Sequence, residues 1–393
     1  MRAFWLIAAA AVLVTTPLPA TAQNQSPFTI DVILSLTGVA AFLGQSEEKS
    51  LRIEVDGMNK NGGINGQPIA LNVMDDQSSP QLSVQLATQV VARKAPLLLG
   101  PGFTATCLAV EPLLAQNGPA SWCFSSAVYP QPGGYMFSAG PSNNDGMIVL
   151  TRFFREKGWT RIALITATDA TGQATDRGED AALALPENRS MKLVAHEHFN
   201  SNDVSVGAQL SRIKAADPQA IIAFGNGGQF GLLTLGIRDA GITVPIGACT
   251  CAMIYPLIEQ YKGQLPKEMY FPGMGSMAPK SVAPGPIRDA QNAYFSAFKA
   301  AGVRPDLATN LPWDPLSIFV DALRKYGTSA RPAQIADYAR NLHGWVGING
   351  VYDLRDGSQR GVGQNALVID RWDSVVNDFV AVSRIGGKLK EPR

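Results

Sequence analysis

The sequence predicts an α/β fold with parallel sheets, arranged in two lobes. Three observations carry this. Residues 51–99 read as helix, strand, helix, strand, the signature of a parallel sheet. The strand pattern restarts near Trp159 after a helical stretch. The chain has 393 residues, enough for two substantial cores.

The first unit is residues 51–91. Leu51, Val55 and Met58 recur at helical spacing and mark one buried stripe. Asn61-Gly62-Gly63 stops the helix, because glycine takes the positive φ that a helix end needs. Asn65-Gly66 makes a turn. Ile69, Leu71 and Val73 then alternate with Ala70, Asn72 and Met74, as in a strand that ends at Asp75-Asp76. Ser78 and Ser79 are N-cap candidates, and Pro80 suits the first turn of the next helix. Leu82, Leu86 and Val90 form its stripe, and the apolar strand 96–99 ends at Gly100-Pro101-Gly102.

The run NKNGGINGQPIALNVMDDQSSP, residues 59–80, resembles the signature of periplasmic solute-binding proteins of the branched-chain amino-acid-binding (Leu/Ile/Val-binding-like) type, which serve ABC transporters. Order and spacing agree over more than twenty positions, and weaker similarity covers nearly the whole mature chain. The resemblance implies two Rossmann-like lobes joined by a three-segment hinge, the type I periplasmic binding fold, with ligand between the lobes.

The N-terminus reads as a secretion signal. Arg2 is followed by an apolar run, 4–14, and Ala20-Thr21-Ala22 is a small-x-small cleavage site. Residues 1–22 are therefore expected to be removed in a periplasmic protein. Formal net charge is +1, and loss of Arg2, the only charge in the leader, leaves zero. A neutral chain argues against nucleic acid, whose phosphates need a basic patch. The basic run 388–393 reads as a frayed tail.

Four cysteines, Cys107, Cys123, Cys249 and Cys251, stand in a compartment that allows disulfides. Cys107 and Cys123 bracket one helix and its following strand, so a bridge there is geometrically reasonable. Cys249-Thr250-Cys251 can close a small ring, bind metal or stay reduced. Packing or disulfides account for all four better than metal does, since no histidine lies nearby.

Ligands of α/β sheets sit beyond the carboxyl ends of the strands. Strand 28–36 leads to a loop carrying Phe42, either a surface aromatic or a wall; the resemblance favours the wall. The next strand-end loop holds Phe103 and Thr104 and opens a helix whose free N–H groups favour an anion. The Thr104 hydroxyl is either an N-cap or, by the resemblance, a carboxylate ligand. Strand 120–124 leads to Ser125, Ser126 and Ala127, which the resemblance assigns to the same carboxylate. In the second lobe the corresponding loops carry Asp169 and Thr171, Asn226 and Gly227, and Cys249. Gly225-Asn226-Gly227-Gly228 lacks the spacing of a phosphate loop. Amino-acid binders of the family place an acid near Cys249 to meet the ligand ammonium. This chain has Ala248-Cys249-Thr250-Cys251 there, and a buried ammonium without a counter-charge is costly. Trp313 either closes over an aromatic ligand or packs in a core.

His196-Glu197-His198 has strand spacing, and two ligands are too few for a catalytic zinc site. No GxSxG and no HExxH occurs. The expectation is a binding protein without catalytic residues, metal or cofactor. Lobe one is expected over 23–143 and 274–345, and lobe two over 144–273 and 346–393, with residues 270–275 returning to lobe one and a last crossing at 344–352. The expected ligand is a small carboxylate, an aromatic acid preferred because of Phe42, Phe103 and Trp313. The alternatives are a branched-chain or aromatic amino acid, its ammonium met by Asp169 or by carbonyls, and a sensor module for a membrane receptor. The resemblance implies an ABC permease of the inner membrane as partner and a monomer in solution.

Overall fold

The computed structural model describes residues 26–390 apart from residue 116. The expected leader and cleavage site, and the last three residues, lie outside the described residues. The first lobe opens with β1 (Phe28–Leu34), α1 (Ala41–Lys60), β2 (Ile69–Asp75), α2 (Pro80–Ala92), β3 (Leu97–Leu99), α3 (Thr104–Leu114), β4 (Ala120–Cys123) and β5 (Met136–Ser138). The five strands pair in parallel in the order β2-β1-β3-β4-β5. The paired aspartates that end β2 tie loops together. Asp75 Oδ1 accepts the N–H of Leu36, Thr37 and Gln77, and Asp76 Oδ1 accepts the Ser35 hydroxyl and the Ser78 N–H. Ser79 caps α2 by accepting the Leu82 N–H, and Pro80 follows it at the first helical position.

The second lobe repeats the plan with α4 (Asn143–Glu156), β6 (Arg161–Ala167), α5 (Ala170–Leu183), β7 (Lys192–Phe199), α6 (Gly207–Ala215), β8 (Ala220–Phe224), α7 (Gly228–Asp239), β9 (Ile246–Ala248), α8 (Tyr255–Tyr261) and β10 (Met269–Met274). The chain then adds α9 (Pro286–Ala300), α10 (Leu307–Asn310), α11 (Trp313–Tyr326), α12 (Pro332–Arg340), the hairpin β11 (His343–Gly347) and β12 (Gly350–Asp353), and finally β13 (Leu367–Asp373) and β14 (Asp378–Ala381). The second sheet runs β14-β13-β10-β9-β8-β6-β7. Its five strands β6–β10 are parallel in the same relative order as the first sheet. β13, which returns from lobe one, pairs antiparallel to β10, and β14, joined to it by a short turn, pairs antiparallel to β13.

Two expectations change. Residues 270–275 do not return to lobe one. Met269–Met274 is buried along its whole length as β10, paired to β9 and β13, and the chain leaves lobe two only after it. Residues 344–352 do not cross either; they form the β11–β12 hairpin. Buried Asp314 on α11 holds its turn. Its carboxylate accepts the N–H of Ile348 at 2.9 Å, the N–H of Asn349 at 3.2 Å and the Tyr352 hydroxyl at 2.9 Å. Beyond the hairpin, the Gln359 carbonyl accepts the Ser138 N–H at 3.0 Å, and buried Arg360 donates to the carbonyls of Gly140 and Val128. These contacts are with lobe one. We therefore propose that lobe one extends from the expected end at 345 to about residue 360, with the third crossing after it.

Candidate functional site

Loops from the carboxyl ends of both sheets converge on one cleft, the position that open parallel sheets reserve for ligands. Lobe one contributes Leu43, residues 102–104 after β3, residues 124–127 after β4, and Leu307 and Leu311. Lobe two contributes Thr171 after β6, Asn226 after β8, residues 249–251 after β9, and Pro272 and Met274 of β10. Residues 141–143 and the start of α4 close one side, with Leu367 at the base of β13.

The polar end is built from hydroxyls. Phe103, not Thr104, occupies the N-cap of α3 and supplies no side-chain cap, so the first helical N–H groups carry no side-chain partner. The Thr104 hydroxyl is thus free for other work. It lies 2.8 Å from Ser125 Oγ and 3.1 Å from Thr171 Oγ1. Ser125 Oγ also accepts the Ala127 N–H at 3.3 Å, and Ser126 Oγ approaches Asn143 Oδ1 at 3.4 Å. A disulfide between Cys107 and Cys123, with Cα atoms 5.9 Å apart, fastens α3 to β4 and so fixes the spacing of these two loops. In lobe two Cys249 and Cys251 are bonded to each other, which settles the open choice between ring, metal ligand and thiols. Asn226 lines the cleft with a buried Nδ2 that has no partner, a donor held ready for a ligand atom.

Elsewhere the walls are apolar: Leu43, Phe103, Phe124, Met147, Phe224 and Met274 among them. None of the cleft-lining residues is Asp, Glu, Lys, Arg or His. Directly behind the clamp lies Glu47, which sequence reasoning missed. Its carboxyl packs so closely on Gly102 that a Cβ there would meet Oε2 at 2.0 Å, which is why the loop needs glycine. Burial, and then the nearby charge of Asp76, push the Glu47 carboxyl well above its usual range. Burial there favours the uncharged form of the carboxyl.

The structure brings together Phe103, Thr104, Ser125, Ser126, Ala127, Thr171, Asn226 and Cys249. Four other candidates fall outside. Phe42 and Gly227 meet each other between the lobes; a Cβ on Gly227, whose φ is +48°, would touch the Phe42 ring at 2.7 Å. Asp169 is the N-cap of α5, accepting the Gly172 N–H at 2.9 Å and the Gln229 side-chain N–H at 3.1 Å, so its carboxylate is committed to the scaffold. Trp313 packs edge-on to Tyr294 at 4.8 Å and against Phe298 at 5.6 Å in a separate small core. The start of α11 turns that ring towards α9 and away from the cleft. Leu307 of the short helix α10 and Leu311 at its C-cap, both missed in the sequence, reach the cleft; the Asp306–Thr309 capping box that starts α10 was a legible signal.

Among the described residues no helix is long and apolar enough to cross a membrane. Residues 27–374 match the family model described as periplasmic binding protein. The chain is 25% identical over 224 residues to Leu/Ile/Val-binding protein homolog 3 of Brucella melitensis, a stretch that covers 54% of this chain and 58% of that protein. The match thus spans little more than half the length of that relative. An extracellular ligand-binding receptor from Rhodopseudomonas palustris superposes with a TM-score of 0.79 at 18% identity, over 91% of this chain and all of that one. An ABC transporter solute-binding protein of Rhodopseudomonas palustris, solved in complex with benzoate, superposes with a TM-score of 0.73 at 17% identity, over 93% of this chain and 100% of that chain. With one parallel and one largely parallel sheet facing one neutral cleft, and a match that runs through both lobes, the chain belongs to the periplasmic binding protein family, whose members bind rather than catalyse.

Proposed function

We propose that this protein is the substrate-binding component of an ABC importer, and that its two lobes close on a small carboxylate, an aromatic acid in preference to an amino acid. One observation carries the reading: the cleft sets three hydroxyls at one end of apolar walls and contains no charged side chain. Hydroxyls and helix N–H groups can hold a carboxylate without an arginine, as charge-assisted hydrogen bonds. Nothing in the lining offers a counter-charge to an ammonium, and an unpaired ammonium is expensive to bury. The benzoate complex of a structural neighbour shows that this fold accommodates such a ligand in that protein. The protein works in the periplasm as a monomer and presents its closed form to an inner-membrane permease.

The names of the sequence relatives favour a second reading, a branched-chain amino-acid binder. Its ammonium would be met by backbone carbonyls and by side-chain oxygens such as Asn143 Oδ1.

Calorimetric titration separates the two. Protein from Gln23 onward is unfolded and refolded to strip carried ligand, then titrated with benzoate, phenylacetate, leucine and isoleucine. The first reading expects saturable binding of the acids and none of the amino acids. Tight leucine binding with no response to the acids would replace it with the second.

A further inference from the structure

His196 and His198 stand two residues apart on β7, so both imidazoles leave the same face of the strand. Their spacing alone supplies two metal ligands, too few for a site. The fold adds a third. Asp176 on α5 comes down over both rings, with Oδ1 3.1 Å from His196 Nε2 and Oδ2 3.0 Å from His198 Nε2. The ring centres are 4.5 Å apart, and one ligand atom from each of the three residues lies within 4.8 Å of the other two. In a tetrahedral site with metal–ligand bonds of about 2.0–2.1 Å, ligand atoms are about 3.3 Å apart. Each imidazole already stands near that distance from one oxygen of Asp176, His196 from Oδ1 and His198 from Oδ2. Among the described residues no other three His, Cys, Asp or Glu side chains converge in this way.

The surroundings suit a metal as well. Thr166 Oγ1 donates to Asp176 Oδ1 at 2.8 Å, an outer hydrogen bond that orients the carboxylate. The three side chains are partly open to solvent, 32% for His196, 45% for His198 and 19% for Asp176, which leaves an entry path and room for water ligands. Neither histidine nor the aspartate lines the ligand cleft.

We propose that Asp176, His196 and His198 form a binding site for a borderline divalent transition metal, zinc above all. Two imidazoles and one carboxylate suit Zn²⁺, Ni²⁺ or Cu²⁺ and are a poor match for Ca²⁺ or Mg²⁺, which prefer oxygen alone. On binding, each imidazole carries its proton on Nδ1 and gives the Nε2 lone pair to the metal, while Asp176 remains a carboxylate. The metal replaces the two hydrogen bonds to Asp176 and joins α5 to β7. Since α5 begins beside the cleft with Thr171, the metal would also stiffen the element that carries one of the clamp hydroxyls.

Chelator-treated protein from Gln23 onward, without a histidine tag, is titrated with ZnCl₂ by calorimetry, and in parallel with CoCl₂ by visible absorption. One equivalent is expected at micromolar or lower zinc. His198→Gln and Asp176→Asn should each weaken it at least tenfold, with circular dichroism and thermal melts of the metal-free samples showing that both variants are folded. The cobalt spectrum of the unmodified protein provides a readout that needs no variant: ligand-field bands typical of low-coordinate nitrogen and oxygen donors are expected. No zinc heat together with an aqueous cobalt spectrum, or one-equivalent binding that both variants retain, would overturn the site.

Discussion

Thr104 Oγ1 and Thr171 Oγ1 lie 3.1 Å apart, one on the first turn of α3 in lobe one and the other on the first turn of α5 in lobe two. The two lobes therefore touch hydroxyl to hydroxyl at the polar end of the cleft, and Ser125 Oγ, 2.8 Å from Thr104, completes the group. On the proposed reading, a carboxylate oxygen arriving there would replace a hydroxyl–hydroxyl contact with hydrogen bonds from both lobes at once. Ligand affinity and lobe closure would then share the same atoms, the means by which a hinge protein converts binding into a shape change.

Thr104→Val keeps the shape of the side chain and removes the hydroxyl. A hydrogen bond to a charged group contributes about 1.5–3 kcal/mol. The variant should bind its carboxylate roughly tenfold to a hundredfold more weakly, with a smaller loss of ligand-free stability, about 0.5–1.5 kcal/mol, from the lost contacts to Ser125 and Thr171. Titration of both proteins with the best ligand checks this; affinities within a factor of two would remove Thr104 from the clamp.

Cys107 and Cys123 should matter to both stability and affinity, since their bridge joins the two clamp loops. The cysteines are 16 residues apart, and closing a loop of that size stabilises a fold by about 3 kcal/mol in the chain-entropy model. The double serine variant is expected to unfold at lower denaturant concentration and to bind more weakly. If denaturation midpoints fall while affinity is unchanged, the bridge supports the lobe but not the geometry of Thr104 and Ser125.

The clamp loops were legible because they follow strands whose alternation and terminating glycines are written in the sequence. Residues 100–104 and 125–127 could be placed at carboxyl ends of strands before any coordinates. What the sequence hides is direction. Trp313 and Asp169 have the right chemistry for a ligand wall, yet one turns into the Tyr294–Phe298 core and the other caps a helix. Nothing in local spacing tells those outcomes apart. The β11–β12 hairpin escaped notice because its strands are short and glycine-rich, and its turn depends on Asp314, more than thirty residues upstream. Asp176 was missed for the same reason: its partners come from β7, twenty and twenty-two residues later.

Asp314→Ala should loosen that hairpin. The substitution leaves the N–H groups of Ile348 and Asn349 and the Tyr352 hydroxyl without their acceptor inside a buried turn. Each stranded donor costs about 1–3 kcal/mol, so a loss of several kcal/mol is expected. Hydrogen exchange should show faster amide exchange at residues 347–352 than elsewhere in lobe one. Uniform exchange across the lobe would mean that the turn is held by its own backbone.

Glu179 makes a prediction about pH. The side chain is fully buried on α5, with the Thr151 hydroxyl donating to Oε2 at 2.8 Å and Oε1 without a partner. Burial pushes its carboxyl from the ordinary 4.5 up to about 8, the Thr151 bond opposing the rise and Asp180 adding to it. Below pH 4.5 both the folded and the unfolded chain hold this proton, and the group has no effect on the balance. Between 4.5 and 8 the unfolded chain releases it while the folded chain keeps it. The unfolded state then binds fewer protons, so this group lowers stability as pH rises, by at most about 1.4 kcal/mol per pH unit. Above pH 8 the loss stops growing. Glu179→Gln cannot ionise in either state and should remove that slope. Denaturation midpoints of the two proteins should lie close together near pH 4.5 and separate in favour of the glutamine variant towards pH 8. A difference that stays constant across this range would show that Glu179 ionises in the folded protein, with water reaching its unpartnered oxygen.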